Sequence, residues 1–161
     1  MNSVKKILSL TVSILMLSLI FVGCSSDKKT KTEYPFFGNY IVSEVVYSMV
    51  NNQGEVSNSY ELSDEKFIIY SADKTIGDEI TDPEYIEQTV SDEKIVIDYE
   101  EIDISQYSSK KLYNITDPQS NESHYRIYLL DDDIWFSAYD YDEARQQDQI
   151  MYIYKLREYN K

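Results

Sequence analysis

Residues 124–139 read HYRIYLLDDDIWFSAY, and this stretch decides the fold class. Tyr125, Ile127 and Leu129 alternate with His124 and Arg126, the period-two pattern of a half-buried strand. Asp131-Asp132-Asp133 offers nothing to a core and makes a tight acidic turn. Ile134-Trp135-Phe136 then resumes an aromatic run that favours strand. Two such runs joined by a short polar turn form an antiparallel hairpin.

The same reading extends outward from there. Upstream, KLYNIT (111–116) is a strand leading into the loop DPQSNE. KIVIDY (94–99) sets Ile95, Ile97 and Tyr99 on one face and Lys94, Val96 and Asp98 on the other. Earlier runs are EYIEQTV (84–90), KFIIYS (66–71) and NYIVSEVVYSMV (39–50), the last ended by NNQG. Gly77 and Pro83 punctuate the connection between 72 and 83, and residues 100–109 read as a turn of helix or a loop. Downstream, DYDEARQQDQ (140–149) is a loop before IMYIYKLRE (150–158), which aligns Ile150, Tyr152, Tyr154 and Leu156. About eight strands with short connections predict an all-β fold. Its expected form is a small antiparallel up-and-down barrel, which removes exposed edges, with a β-sandwich as the alternative.

The first residues belong to a different class of sequence. MNSVKK carries Lys5 and Lys6, and residues 7–22 hold no charged side chain. A positive start, an apolar run and a small residue before a cut are the marks of a secretory signal peptide. Sixteen residues are also short for a bilayer span, which needs about 20. Residues 1–23 are therefore expected to be a signal peptide, 24–33 a polar tether, and 34–161 the folded domain. Phe21-Val22-Gly23-Cys24 resembles a bacterial lipobox, with Phe21 where an aliphatic residue is usual. That resemblance implies a thioether-linked diacylglycerol on Cys24, cleavage before it, and anchoring at the extracytoplasmic face of the cell membrane. Two acyl chains, at about 0.8 kcal/mol per buried CH₂, hold a soluble domain stably on a bilayer.

All 29 acidic residues follow Cys24, with 13 of the 15 Lys and Arg, so this part of the chain carries a net charge of −16. Such a balance argues against nucleic acid, whose phosphates call for basic patches. It suits a cationic protein, or serves only to keep a tethered domain soluble. Cys24 is the only cysteine, so no intramolecular disulfide forms and the core alone must stabilise the fold.

Two groups of residues carry a family resemblance. Gly38-Asn39-Tyr40 and the late Arg157 resemble the lipocalin pattern of Gly-x-Trp covered by an Arg, with Tyr40 in place of the Trp. The run KFIIYSADKTIGDEITDPEYI (66–86), together with Ile134-Trp135 and the closing Tyr154-Lys155-Leu156-Arg157, is similar to uncharacterised lipocalin-like lipoproteins of Gram-positive bacteria. The resemblance implies a barrel at the cell surface and a cation–π contact between Arg157 and Tyr40. It implies no catalytic residue.

His124, the only histidine, has no nucleophile motif to accompany it and reads as an outward strand residue. One histidine and one cysteine make a poor zinc site. Residues 140–151 place Arg145 and Met151 where an EF-hand loop needs Gly and Glu. No enzyme, cofactor or metal is expected. The expected function is binding of a small apolar ligand, the alternative being an acidic module, inhibitor or immunity-type, that meets a basic protein.

Overall fold

In the structure, a computed structural model, the described residues are 32–49, 57–90, 93–97 and 100–159. Cys24 and the residues before it, Phe21, Val22 and Gly23, lie outside them, as do most of the tether, the turn 51–54, Asp98 and Tyr99. Glu33–Lys161 packs as a compact unit. Its strands are β1 (Gly38–Ser48), β2 (Ser59–Leu62), β3 (Lys66–Tyr70), β4 (Ile76–Thr81), β5 (Glu84–Thr89), β6 (Lys94–Ile97), β7 (Glu100–Asp103), β8 (Lys110–Asp117), β9 (Glu122–Leu130), β10 (Asp133–Asp142) and β11 (Gln147–Glu158).

Nine of them form one antiparallel sheet in the order β4-β3-β2-β1-β11-β10-β9-β8-β5. This is an up-and-down meander in which the last strand returns to pair with the first, Tyr40 opposite Glu158 and Ser48 opposite Tyr152. The two edge strands, β4 and β5, are neighbours in sequence, joined only by Asp82 and Pro83. The sheet is strongly curled, an antiparallel half-barrel whose two edge strands are linked at that corner. A β-sandwich would divide these strands between two facing sheets, and all nine belong to one sheet. The fold is all-β, as expected.

The concave face is filled with side chains. Tyr40, Tyr60, Phe67, Ile115, Ile127 and Phe136 are buried there, and Phe36 closes one end. Tyr60 and Phe136 have ring centroids 4.7 Å apart, Phe67 and Tyr125 4.9 Å. The Tyr34–Phe37 segment stacks on Tyr85 and Tyr113, with Phe36 4.9 Å from Tyr113. Gly38 fits this packing closely. A Cβ there would lie 3.2 Å from the Tyr40 hydroxyl and 3.3 Å from its ring, which folds back across the glycine.

The convex face differs from the expectation of a single solvated side. β6 and β7 form a separate two-stranded hairpin. With Ile104 they share a second buried cluster containing Tyr128, Leu130, Trp135, Tyr139, Ile150 and Ile153. β10 is consequently buried on both faces from Trp135 through Tyr139. Ile95 and Ile97 turn inward and Val96 outward, as their alternation requires, but they pack on the outside of the barrel sheet. Ile150 also faces this outer cluster. A bulge between Ala138 and Tyr139 inserts Met151 and reverses the parity of β11, so Ile150 parts from Tyr152, Tyr154 and Leu156.

Three strands were not anticipated. β2 (SYEL) and β7 (EEID) are four residues each with charged members, and β4 (IGDEIT) contains Gly77. Each pairs with a strongly patterned neighbour, which supplies the order that its own sequence lacks. The expected loop 140–149 narrows to the turn 143–146, because Asp142 pairs with Gln147. Gln146 there adopts φ 54°.

Two expected contacts are corrected. Arg157 is exposed and stands opposite Ile41, on the face of the sheet away from Tyr40, so no cation–π contact joins them. Arg126 was expected to face water. Its side chain is only 17% exposed, stacked 3.8 Å over the Tyr139 ring, because the outer face is not bare at this point.

Candidate functional site

A cleft of about 580 Å³ lies across β1, β2 and β3. Its position follows from the register. Tyr40, Tyr60 and Ile69 are cross-strand partners and point into the core, so the next row, Ile41, Ser59 and Tyr70, points outward. Ser59 is small between two large neighbours, and the row is hollow at its centre. Ile76 continues the row beyond Tyr70 and is 55% exposed. Tyr159 borders one side, tied to β1 by its backbone N–H to the Asn39 carbonyl at 2.7 Å.

The opposite border is the hairpin turn Ser71–Thr75. Ser71 donates to Asp73 at 2.7 Å, Thr75 donates its hydroxyl to the same oxygen at 2.7 Å and its backbone N–H at 3.1 Å. Ser71 and Thr75 also pair through their backbones at 2.9 Å. These bonds, first from Ser71 and then from Thr75, hold the Asp73 carboxyl well below the usual range, at about 2. The knot places Lys74 at φ 64° on the cleft's rim. The turn Ser71-Ala72-Asp73-Lys74, within the run 66–86, thus supports one wall of the cleft.

Charge and polarity at the cleft are modest. The Tyr70 hydroxyl donates to Glu61 at 3.1 Å, and burial, then that bond, raises the tyrosine pKa. Serines and Asn39 supply hydroxyl and amide groups around an aromatic and aliphatic floor. The arrangement places the Ser59 and Tyr70 hydroxyls, the Asn39 amide and Lys74 around one hollow. It offers area, stacking surfaces and a few hydrogen bonds.

The remaining residues singled out from the sequence are scattered. His124 is exposed, with Nε2 3.4 Å from a Glu122 carboxylate oxygen. The acidic turn is more than a solvated tip. Asp131 accepts backbone N–H groups from Ser108 and Ser109 at 3.1 and 2.7 Å. Asp133 accepts from Tyr107 at 2.9 Å and Lys155 at 2.6 Å. Both carboxylates fasten the 104–109 connection to the sheet. Burial opposes ionisation of Asp133, but the bonds from Lys155 and Tyr107 outweigh it and hold its pKa low. Asp142 caps the turn at Ala144 N, 2.9 Å away. Among the described residues no three His, Cys, Asp or Glu converge to hold a metal ion, and no helix is long and apolar enough to cross a membrane.

The cleft itself was not foreseen. Its signal is the register-dependent row Ile41–Ser59–Tyr70, which becomes visible only once the pairing of β1, β2 and β3 is known. No protein-family model matches the chain, and no curated protein or solved structure matches it either.

Proposed function

We propose that this chain is a membrane-anchored extracytoplasmic lipoprotein, tethered through a lipid on Cys24. We further propose that its domain is a non-enzymatic binding module for a small, largely apolar ligand seated in the β1–β3 cleft. The single observation that carries the reading is the cleft. At about 580 Å³ it falls within the ~300–1,000 Å³ range of small-molecule sites, and its aromatic and aliphatic floor meets a few polar groups at the rim. The filled concave face supports a seat on this outer surface rather than inside the barrel. Small barrels either enclose a ligand or fill with side chains. Buried Phe67, Ile127 and Phe136 support the second form.

The test is to incubate the Glu33–Lys161 unit with envelope extract and identify retained small molecules by mass spectrometry. Ser59→Phe, which fills the centre of the cleft, should abolish retention while leaving the fold intact. Retention that survives Ser59→Phe refutes the cleft as the seat. Recovery of basic proteins alone, lost as salt rises, would instead support an acidic interaction module, since attraction between exposed charges is screened beyond about 8 Å at physiological salt.

A further inference from the structure

The barrel sheet ends on two strands, and one of them, β5, turns part of its backbone outward. β5 pairs with β8 on one side, Tyr85 opposite Ile115 and Thr89 opposite Lys111, and no described strand pairs with its other side. Neighbouring bonds fix which amides point away. The Ser109 carbonyl accepts the Asp131 N–H at 2.9 Å, and the Ile115 carbonyl accepts the Ser123 hydroxyl at 2.9 Å. Residues 111, 113 and 115 of β8 therefore turn toward β9. In an antiparallel ladder both backbone groups of a residue point to one side, and successive residues alternate. Tyr85, Glu87 and Thr89, which stand opposite those positions, direct their N–H and C=O away from β8. The Tyr34 hydroxyl agrees with this direction, donating to the Tyr85 carbonyl at 3.2 Å. Beyond that one capped carbonyl, Glu87 and Thr89 hold out backbone groups with no strand partner among the described residues.

The side chains along this edge give it a charge. Glu84, Ile86, Glu87, Gln88 and Thr89 are exposed, Ile86 to 48%. Glu87 lies on the concave side with Tyr85, where it accepts the Tyr113 hydroxyl, and Glu84 and Ile86 lie on the convex side. Charges on an edge strand discourage pairing between copies. A second copy laid on β5 would crowd Glu84 and Glu87 against another acidic pair, whether its own β5 or the Asp78 and Glu79 of its β4. The same carboxylates favour a strand that carries Lys or Arg.

We propose that β5 is a docking edge for an extended segment of a basic polypeptide, added to the sheet as one further strand. The segment's backbone completes the outward bonds of Glu87 and Thr89. A Lys or Arg stands opposite each of Glu84 and Glu87, and an apolar side chain lies beside Ile86. In strand addition the main-chain bonds supply affinity, and alternate side chains supply selectivity. The edge is separate from the β1–β3 cleft, so it stands whether or not that cleft holds a ligand.

The probe is the peptide acetyl-TTKVTK-amide. Laid antiparallel on β5, it sets its lysines opposite Glu87 and Glu84 and its valine opposite Ile86. Titrated into isotope-labelled Glu33–Lys161, it should shift the NMR amide signals of Tyr85, Glu87 and Thr89 saturably and leave those of Ile41 and Ser59 unmoved. N-methylating the third and fifth peptide residues, whose N–H groups face β5, should abolish these shifts. N-methylating the second and fourth, whose N–H groups face away, should preserve them. Glu84→Lys should weaken the peptide by about tenfold, since an attractive cross-strand pair becomes a repulsive one. Glutamate in place of the last lysine of the peptide should recover that loss. Equal shifts from the two methylated peptides would make the edge a mere collector of cations, and overturn the proposal. Broadening of the β5 signals that grows with protein concentration, before any peptide is added, would assign the edge to a second copy instead. Absence of shifts at Glu87 and Thr89 with the unmodified peptide also overturns it.

Discussion

Replacing Leu130 with Ala tests whether the β6–β7 hairpin truly covers the barrel. Leu130 is completely buried, yet it belongs to the convex face and shares its cluster with Ile97, Ile104 and Trp135. On a barrel with a bare outer surface, this position would be solvated and the substitution would change stability by less than about 0.5 kcal/mol. Under the hairpin, losing the branched end forfeits about 2 kcal/mol of transfer free energy. A cavity term of similar size is added, because neighbours held on two strands and a hairpin relax only in part. The expected total is about 3–5 kcal/mol, equal to that for Ile127→Ala on the concave face, where Ile127 is buried between Tyr113 and Phe136. Urea unfolding followed by Trp135 fluorescence measures both, with midpoints shifted and slopes unchanged. A large effect for Ile127→Ala beside none for Leu130→Ala would refute the two-faced burial of β9 and β10.

Further expectations concern charge, backbone and processing. Asp73, Asp103 and Asp133 have carboxyls held below their unfolded values by hydrogen bonds, the first two by bonds led by Ser71 and Ser105, so the stability they contribute is present above about pH 4 and is lost as pH falls through their folded values. Acid unfolding between pH ~4 and ~2 should therefore flatten in a triple Asn variant. Burial raises the pKa of Tyr60, Tyr85, Tyr125 and Tyr152, so their contribution is present below about pH 10 and is lost as pH rises further. Phenolate absorbance from these four should appear only as the fold is lost, and smooth titration of all 16 tyrosines near pH 10 in folded protein contradicts that. Gly38→Val should destabilise by about 1–3 kcal/mol in chemical denaturation, because the added carbons meet the Tyr40 ring. Cys24→Ala should accumulate an unlipidated precursor of higher mass, whereas lipid found on the variant would exclude Cys24 as the attachment point.

Strong alternation was legible wherever one strand carried enough of it. The runs at 66–71, 84–90, 111–116, 124–130 and 134–139 correspond to β3, β5, β8, β9 and β10. β2, β4 and β7 were not legible, since four to six residues rich in Glu, Asp and Gly acquire their conformation from neighbours already in place. The second buried face was hidden for another reason. Period two places Tyr128 and Leu130 opposite Ile127, and that pattern alone does not say that a hairpin 30 residues earlier will cover them. Parity also fails at a bulge, which is why Ile150 was assigned to the wrong cluster. The acidic turn was located correctly but read as idle, because hydrogen bonds from Ser108, Ser109 and Tyr107 span more than 20 residues. The cleft needed both the register and the Ser71–Thr75 knot, neither of which periodicity reveals.

The most direct test of the central claim is a backbone and side-chain NMR titration of Glu33–Lys161 with the molecule retained from envelope extract. A ligand seated on the outer β1–β3 surface should shift the resonances of Ile41, Ser59, Tyr70 and Tyr159, and leave Ile115, Ile127 and Phe136 in the concave core unmoved. Shifts centred on Ile127 and Phe136, with Ile41 and Tyr70 unchanged, would contradict it by placing the ligand inside the barrel.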